Sequence, residues 1–138
     1  MKSILPLLAA ISLAACATTG RPDSERLALY MSHAGEPVNR IHYFSAMGWE
    51  RVDGEHVLLN LRPRESWLLK LSGNCLDWGS GSPFLAVSSQ TGWLLSKFDS
   101  IKMSGSPVTC SIDEIRSIDL PAVRTAEKQL RDQSVSGT

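Results

Sequence analysis

The sequence predicts a mainly β protein: a small antiparallel β-barrel or sandwich of about seven short strands, with a short N-terminal helix and a short C-terminal helix. Between residues 38 and 112, apolar and polar residues alternate over short runs, which is the period of a half-buried strand. Clusters of Gly, Pro, Asp and Ser separate the runs at near-regular intervals, as in small barrels and sandwiches. Helical spacing occurs at the two ends. We therefore expect a β-rich domain over residues 23–120, followed by a short helix and a disordered tail over residues 121–138.

The first helix is predicted over residues 24–34. Its apolar residues follow the spacing i, i+3, i+4 and i+7 and so share one face: Leu27, Tyr30, Met31 and Ala34. Asp23 or Ser24 can cap it, because a short polar side chain accepts hydrogen bonds from the free N–H groups of the first turn. Gly35 ends the helix, and Pro37 prevents it from resuming.

Strand spacing follows the helix, with Ile41 and Tyr43 on one face. The clearest local signal is a hairpin at Asp53-Gly54, between the strand-like runs 49–52 and 55–61. Because Gly tolerates a positive φ, this pair favours a tight primed turn. The second run places its apolar residues on one face, which we expect to point inward: Val57, Leu59 and Leu61.

Further strands are predicted over residues 67–71, 84–87, 93–98 and 108–112, with Trp67, Leu69 and Leu71 pointing inward. Residues 112–118 remain open, because isoleucines that recur every three residues fit neither the helix nor the strand period. The second helix is predicted to enter at Pro121, which the first turn tolerates. Disorder is predicted over residues 133–138.

The N-terminal residues combine a positive charge at Lys2, an apolar run over residues 4–15 and small residues at the end of that run. These are the parts of a secretory signal peptide, which we predict over residues 1–15. The apolar run is too short for a membrane-spanning helix, which needs about 20 residues.

The end of this run, Leu13-Ala14-Ala15-Cys16, resembles the lipobox of bacterial lipoproteins. The resemblance implies lipid on the Cys16 sulfur and cleavage before Cys16; an ordinary cleavage site with a cysteine nearby is the alternative. Residues 16–22 would then be a lipidated, flexible tether. Ala17 is similar to the outer-membrane-bound class, so the expected location is the bacterial cell envelope, on the outer membrane facing the periplasm, with the membrane as a partner through the lipid anchor.

Three cysteines are present. Lipid on Cys16 leaves Cys75 and Cys110, which allow one intramolecular pairing. Exported proteins meet an oxidising compartment where such a pair usually closes, and in the chain-entropy model the crosslink stabilises by roughly 3–4 kcal/mol. A metal site would need Cys or His ligands at short spacing, which the histidines do not offer. We predict a disulfide, no metal and no cofactor.

Charge and motifs exclude several functions. The chain has 14 basic and 14 acidic residues, and this balance predicts no nucleic-acid partner. A nucleophile needs a base and an orienting group, and no nucleophile elbow, phosphate loop or ligand cluster occurs. No catalytic residues are predicted. The alternative is a hydrolase whose site is assembled from distant residues, such as His42 or His56 with a nearby Asp.

The four tryptophans are the remaining candidates for a functional role. Trp49, Trp67 and Trp93 each begin a strand-like run, where large rings cover the ends of a core. Trp78 instead lies beside Cys75 in a loop rich in Gly and Ser. It is predicted either to pack on the disulfide or to face a partner, because exposed Trp is favoured at binding hot spots.

Several segments together resemble an uncharacterised family of small proteobacterial envelope proteins over residues 35–118. They are Arg64-Glu65-Ser66-Trp67-Leu68-Leu69-Lys70-Leu71, Cys75, Phe98-Asp99-Ser100-Ile101 and Cys110-Ser111-Ile112-Asp113-Glu114-Ile115. The resemblance implies an exported domain with a Cys75–Cys110 pair, and it conveys no activity or site residues.

The expected function is a non-catalytic binding or structural lipoprotein. Its partner would be an envelope protein, a glycan or a small apolar ligand. A periplasmic inhibitor of a cell-wall-degrading enzyme is the alternative, by analogy with small disulfide-bonded β-barrels.

Overall fold

Two helices and nine strands occupy the residues that this computed structural model describes, namely 21–77, 85–89 and 91–136. In chain order they are α1 (Asp23–Ser32), β1 (Ala34–Val38), β2 (Arg40–His42), β3 (Gly48–Arg51), β4 (His56–Arg62), β5 (Glu65–Leu71), β6 (Leu85–Val87), β7 (Trp93–Leu95), β8 (Ser100–Met103), β9 (Thr109–Ile118) and α2 (Leu120–Ser136). The predicted mainly β fold, with a helix near each end, is confirmed.

Seven of the strands form one antiparallel sheet that curls into a nearly closed barrel. Its order is β3-β4-β5-β9-β8-β6, and β1 pairs with β9 off this path. Strand β9 is the centre of the sheet, because β5 pairs along one edge while β8 and β1 pair with successive parts of the other. Strands β2 and β7 form a separate antiparallel pair, called here the ribbon.

A β-bulge explains the isoleucine spacing in β9. Two consecutive residues of β5 pair with positions two apart in β9, which makes Asp113 an extra residue in the ladder. The bulge places Ile112 and Ile115 on the same face, inside the barrel. Ile118 lies on the opposite face. One strand with a bulge therefore produces a period that is neither two nor 3.6.

Apolar side chains fill the barrel interior. The buried members of this inner core are Ile41, Val57, Leu59, Leu61, Leu69, Leu71, Cys75, Leu76, Leu94, Ile101, Met103, Cys110, Ile112 and Ile115. The inward faces predicted for β4 and β5 are confirmed. Ile41 and Leu94 belong to the ribbon, so its inner face closes this core.

A second core lies between the outer face of the sheet and the helices. Its buried members are Tyr30, Val52, Leu58, Leu68, Ile118 and Val123. Leu58 and Leu68 alternate with the inward residues, so β4 and β5 are buried on both faces. The helices and the ribbon consequently lie on opposite sides of the sheet.

The hairpin at Asp53-Gly54 forms, but the tight primed turn predicted for it is wrong. The loop between β3 and β4 has four residues. Asp53 organises it, because Oδ1 accepts a hydrogen bond from the backbone N–H of Glu55 at 2.8 Å and contacts Nδ1 of His56 at 2.8 Å. Gly54 has no positive φ; a Cβ there would instead collide with the side chain of Asn74.

The strand predicted over residues 93–98 is shorter, because β7 ends at Leu95. A turn follows in which Lys97 adopts a left-handed conformation with φ 69°. Asp99 fixes this turn, since Oδ2 accepts the Leu95 N–H at 2.7 Å and Oδ1 accepts the Ser88 hydroxyl at 2.8 Å. The Leu95 N–H points away from β2, because the neighbouring Ser96 N–H donates to the Asn39 carbonyl oxygen, so the Asp99 carboxylate takes a donor at the open edge of β7.

Helix α2 is longer than predicted and extends through residues 133–136, where we expected disorder. Good helix formers continue after Val123 without a Gly or Pro to end the helix. Val123 is its one buried residue, and residues 128–136 are exposed. Among the described residues, neither helix is both long and apolar enough to cross a membrane.

Removal of the disulfide should destabilise the barrel. Cys75 and Cys110 are bonded across 35 positions of sequence and are both buried. For a loop of this length, the chain-entropy model gives a loss of about 4 kcal/mol in the free energy of unfolding. Urea denaturation of a Cys75→Ala/Cys110→Ala variant measures it; a loss below about 1 kcal/mol would contradict a structural role for the bond.

Stability should also fall between pH 10 and pH 12 because of Tyr30. Burial, assisted by the nearby Glu50 carboxylate, raises the pKa of Tyr30 from 10.0 to about 12. The unfolded chain then releases this proton more readily than the folded one, so a contribution of about 2–3 kcal/mol is fully present below pH 10 and is lost as the pH rises to 12. Urea titrations at several pH values should show a smaller decline in Tyr30→Phe; an identical decline would refute this assignment.

Candidate functional site

The outer face of the ribbon carries the strongest candidate site. Ile41 and Leu94 point into the core, so strand alternation turns their neighbours outward. His42 is paired directly with Trp93, and Arg40 is paired with Leu95. These outward residues belong to neither of the two buried cores.

Trp93 holds two side chains of β2 against its ring. The His42 ring lies 3.7 Å from it, centroid to centroid, at an interplanar angle of 32°. The guanidinium carbon of Arg40 lies 4.5 Å from the ring centroid, within the range of a cation–π contact. Cross-strand pairs of this kind fix side-chain positions on a sheet surface.

An exposed phenylalanine stands at each end of this stack. Phe44 follows β2 and is 81% exposed, and Phe98 follows β7 and is 84% exposed. Phe44 lies against Gly92, whose φ of +78° favours glycine and where an added Cβ would be 3.4 Å from the ring. Large apolar rings that are exposed together are candidates for contact with a partner. We call the five residues Arg40, His42, Phe44, Trp93 and Phe98 the ribbon face.

Two small cavities border the ribbon face. One, of about 140 Å³, is lined by His42, Phe44, Ser45, Leu61, Arg62 and Glu65. The other, of about 270 Å³, is lined by Asn39, Arg40, Leu95, Ser96, Lys97 and Phe98. Both are smaller than the roughly 300–1,000 Å³ of ordinary small-molecule pockets.

The surroundings of the ribbon face are cationic. Arg40, Arg62 and Lys97 line the two cavities and are exposed, whereas Glu65 is the one carboxylate among the lining residues. Oε2 of Glu65 lies 3.6 Å from Nε of Arg62, and Oε1 accepts the Trp67 indole N–H at 3.0 Å. The face therefore presents aromatic rings with an excess of positive charge.

A second group of polar residues surrounds His56. Its Nδ1 lies 2.8 and 3.0 Å from the carboxylate oxygens of Asp53. A groove of about 130 Å³ beside α1 is lined by Leu27, Met31, His56, Leu68, Lys70, Glu114 and Arg116. The structure thus brings together the His56 and Asp pair considered for a hydrolase, but the described lining contains no Ser, Thr or Cys that could act as a nucleophile.

His42, the other histidine considered, contacts Trp93. No group of three His, Cys, Asp or Glu side chains that could hold a metal ion occurs within the described part of the chain.

The other predicted site residues have different outcomes. Cys75 and Cys110 form the expected disulfide between the loop after β5 and strand β9. Cys16 and Trp78 lie outside the described residues. Asp77 is the last described residue before Trp78; its Oδ1 accepts a hydrogen bond from Nε of Arg51 at 2.8 Å, which lowers the pKa of Asp77.

Trp49 and Trp67 pack against the inner core, as expected, but the same prediction for Trp93 is wrong. Leu94 is the inward residue of β7, so Trp93 faces outward. Sequence reasoning also missed Arg40, Phe44 and Phe98. Their grouping depends on the pairing of β2 with β7, two strands about fifty residues apart in the chain.

Comparison with known proteins identifies a family but no characterised relative. The model of a family of unknown function, DUF6491, matches residues 1–134. The chain therefore belongs to this family. No curated protein and no solved structure shows significant similarity to it.

Proposed function

We propose that this member of the DUF6491 family is a non-catalytic binding module of the bacterial cell envelope, held by lipid on Cys16, that contacts its partner through the ribbon face. One observation carries the binding role: Phe44 and Phe98 are exposed on either side of the ordered Arg40–Trp93 stack. Aromatic residues and Arg are the types enriched where binding energy concentrates.

The ribbon face is anchored from beneath by packing and by a hydrogen-bonded turn. Ile41 and Leu94 anchor the ribbon in the inner core, and Asp99 holds the turn that carries Phe98. The Cys75–Cys110 bond closes the same core. A preorganised surface loses little conformational entropy on association, which favours affinity.

The lipobox resemblance supports the proposed location. Cys16 precedes the start of α1 by seven residues, which span at most about 25 Å. Lipid on Cys16 would therefore keep the barrel close to the membrane surface. Two or more acyl chains are needed for stable anchoring, because each buried CH₂ contributes only about 0.8 kcal/mol.

A hydrolase is the second candidate, and the His56–Asp53 contact favours it. Asp53 orients Nδ1, which leaves Nε2 of His56 as a potential base. The same contact also has a structural role, because Asp53 organises the β3–β4 loop. Inhibition of a cell-wall-degrading enzyme is a specific form of the binding proposal, in which the ribbon face would contact that enzyme.

The anchor is tested by fractionation of cells that express the full chain. The wild-type protein should sediment with membranes, and Cys16→Ala should move to the soluble periplasmic fraction because it lacks the acceptor for lipid. Thr18→Ala is the matched control, because it changes the predicted tether but keeps Cys16. Sedimentation with membranes of Cys16→Ala from which the signal peptide has been removed would refute the anchor.

The binding role is tested by photocrosslinking in intact cells. A benzophenone amino acid replaces Phe44 or Phe98 in the full chain, and Lys128, exposed on α2, is the control position. We expect discrete adducts from both phenylalanine positions and none from the control. Absence of adducts at both positions would overturn the proposed role of the ribbon face.

A further inference from the structure

We propose that the partner of the ribbon face is an acidic protein surface that receives Phe44 and Phe98 in two separate apolar recesses. This inference rests on the binding function proposed above.

The charge around the ribbon face favours an anionic partner. Arg40, Arg62 and Lys97 border the aromatic rings. Glu65 offsets Arg62, and the Asp99 carboxylate beside Phe98 is engaged by the Leu95 N–H and the Ser88 hydroxyl. Because the whole chain is balanced, with 14 basic and 14 acidic residues, this local excess is not a consequence of composition. Complementary potentials of this kind increase association rates and reject partners of the wrong sign.

The aromatic rings suit a protein better than a glycan. A sugar ring needs a free, flat aromatic platform, but Trp93 already stacks with His42 and holds Arg40. Phe44 is four residues from Arg40 along the ribbon, which corresponds to at most about 13 Å at roughly 3.3 Å per residue. Phe98 borders the Arg40–Leu95 pair, so the two phenylalanines lie toward opposite ends of the ribbon. Two separated, protruding rings match recesses between side chains of a protein surface.

The cavity sizes argue against a small ligand. At about 140 and 270 Å³, each lies below the range of pockets that enclose such molecules. A protein partner needs no enclosed pocket, since interfaces gain affinity from a few desolvated anchor residues surrounded by a polar rim.

The position of the ribbon argues against a lipid surface. Leu58 and Leu68 pack under α1 and α2, whereas Ile41 and Leu94 pack on the other side of the same sheet. The chain enters the domain at Asp23, the first residue of α1. A tether of at most about 25 Å would therefore join the domain on the side opposite the ribbon face, which favours an orientation of that face away from an anchoring membrane.

The inference is tested with defined polymers and the full chain in detergent micelles. The probes are a random copolymer of glutamate and tyrosine, polyglutamate, and polygalacturonate, an acidic polysaccharide. We expect tightest binding to the Glu–Tyr copolymer, because it alone combines negative charge with apolar side chains. Binding should weaken at least tenfold in Arg40→Gln/Lys97→Gln and in Phe44→Ser/Phe98→Ser.

Arg131→Gln is the matched control, because Arg131 is exposed near the end of α2. It should bind the copolymer as the wild type does, and circular dichroism should show all variants folded. Equal or tighter binding of polygalacturonate, or equal loss in Arg131→Gln, would overturn an acidic protein as the partner.

Crosslinking from Phe44 and Phe98 in cells separates the two proposals. Adducts to a protein with acidic residues in the linked peptide, lost in Arg40→Glu, support both. Adducts to glycan or lipid would retain the binding role and overturn the inference about the partner. No adduct at either position would refute the binding role itself.

Discussion

Strand β9 and its bulge are the constraint on which the rest of the structure depends. The strand pairs with β5 on one edge and with β8 and β1 on the other, so three neighbours share its register. The extra residue, Asp113, lets Ile112 and Ile115 enter the barrel together while Ile118 supports the helices outside it. Cys110 of the same strand forms the disulfide. Both cores and the covalent bond therefore meet in one element.

The two cores have different structural roles. The outer core joins α1 and α2 to the sheet and includes Tyr30, whose hydroxyl lies between Glu50 and Arg124. The inner core extends to Ile41 and Leu94 and thereby fixes the ribbon. With the ribbon fixed, its outward side chains are displayed on the surface of a folded scaffold. A stable scaffold with exposed aromatic residues is the usual arrangement of a binding surface.

Local pattern predicted the parts of this structure that depend on neighbouring residues. The inward faces of β4 and β5 and most of the first helix follow from spacing alone. The predicted side-chain cap and the helix end at Gly35 are wrong, because α1 has no side-chain cap and ends at Ser32, and Ala34 already begins β1. The turn after Arg51 was mispredicted because the Asp53 side chain replaced a backbone turn. The ribbon face could not be predicted, since bringing His42 beside Trp93 requires the pairing of distant strands. Phe44 and Phe98 each lie in the short connection after a ribbon strand, and a single Phe in such a connection does not indicate a binding surface.

The central claim is that the ribbon face is covered when the protein is in its natural surroundings. Hydrogen–deuterium exchange tests it most directly, by comparing the full chain in isolated cell envelopes with the same chain purified in detergent. If a partner covers the ribbon face, residues 40–44 and 93–98 should exchange more slowly in envelopes than in detergent, whereas exchange in the β5–β9 core should be the same in both. Equal exchange at residues 40–44 and 93–98 in the two preparations would contradict it.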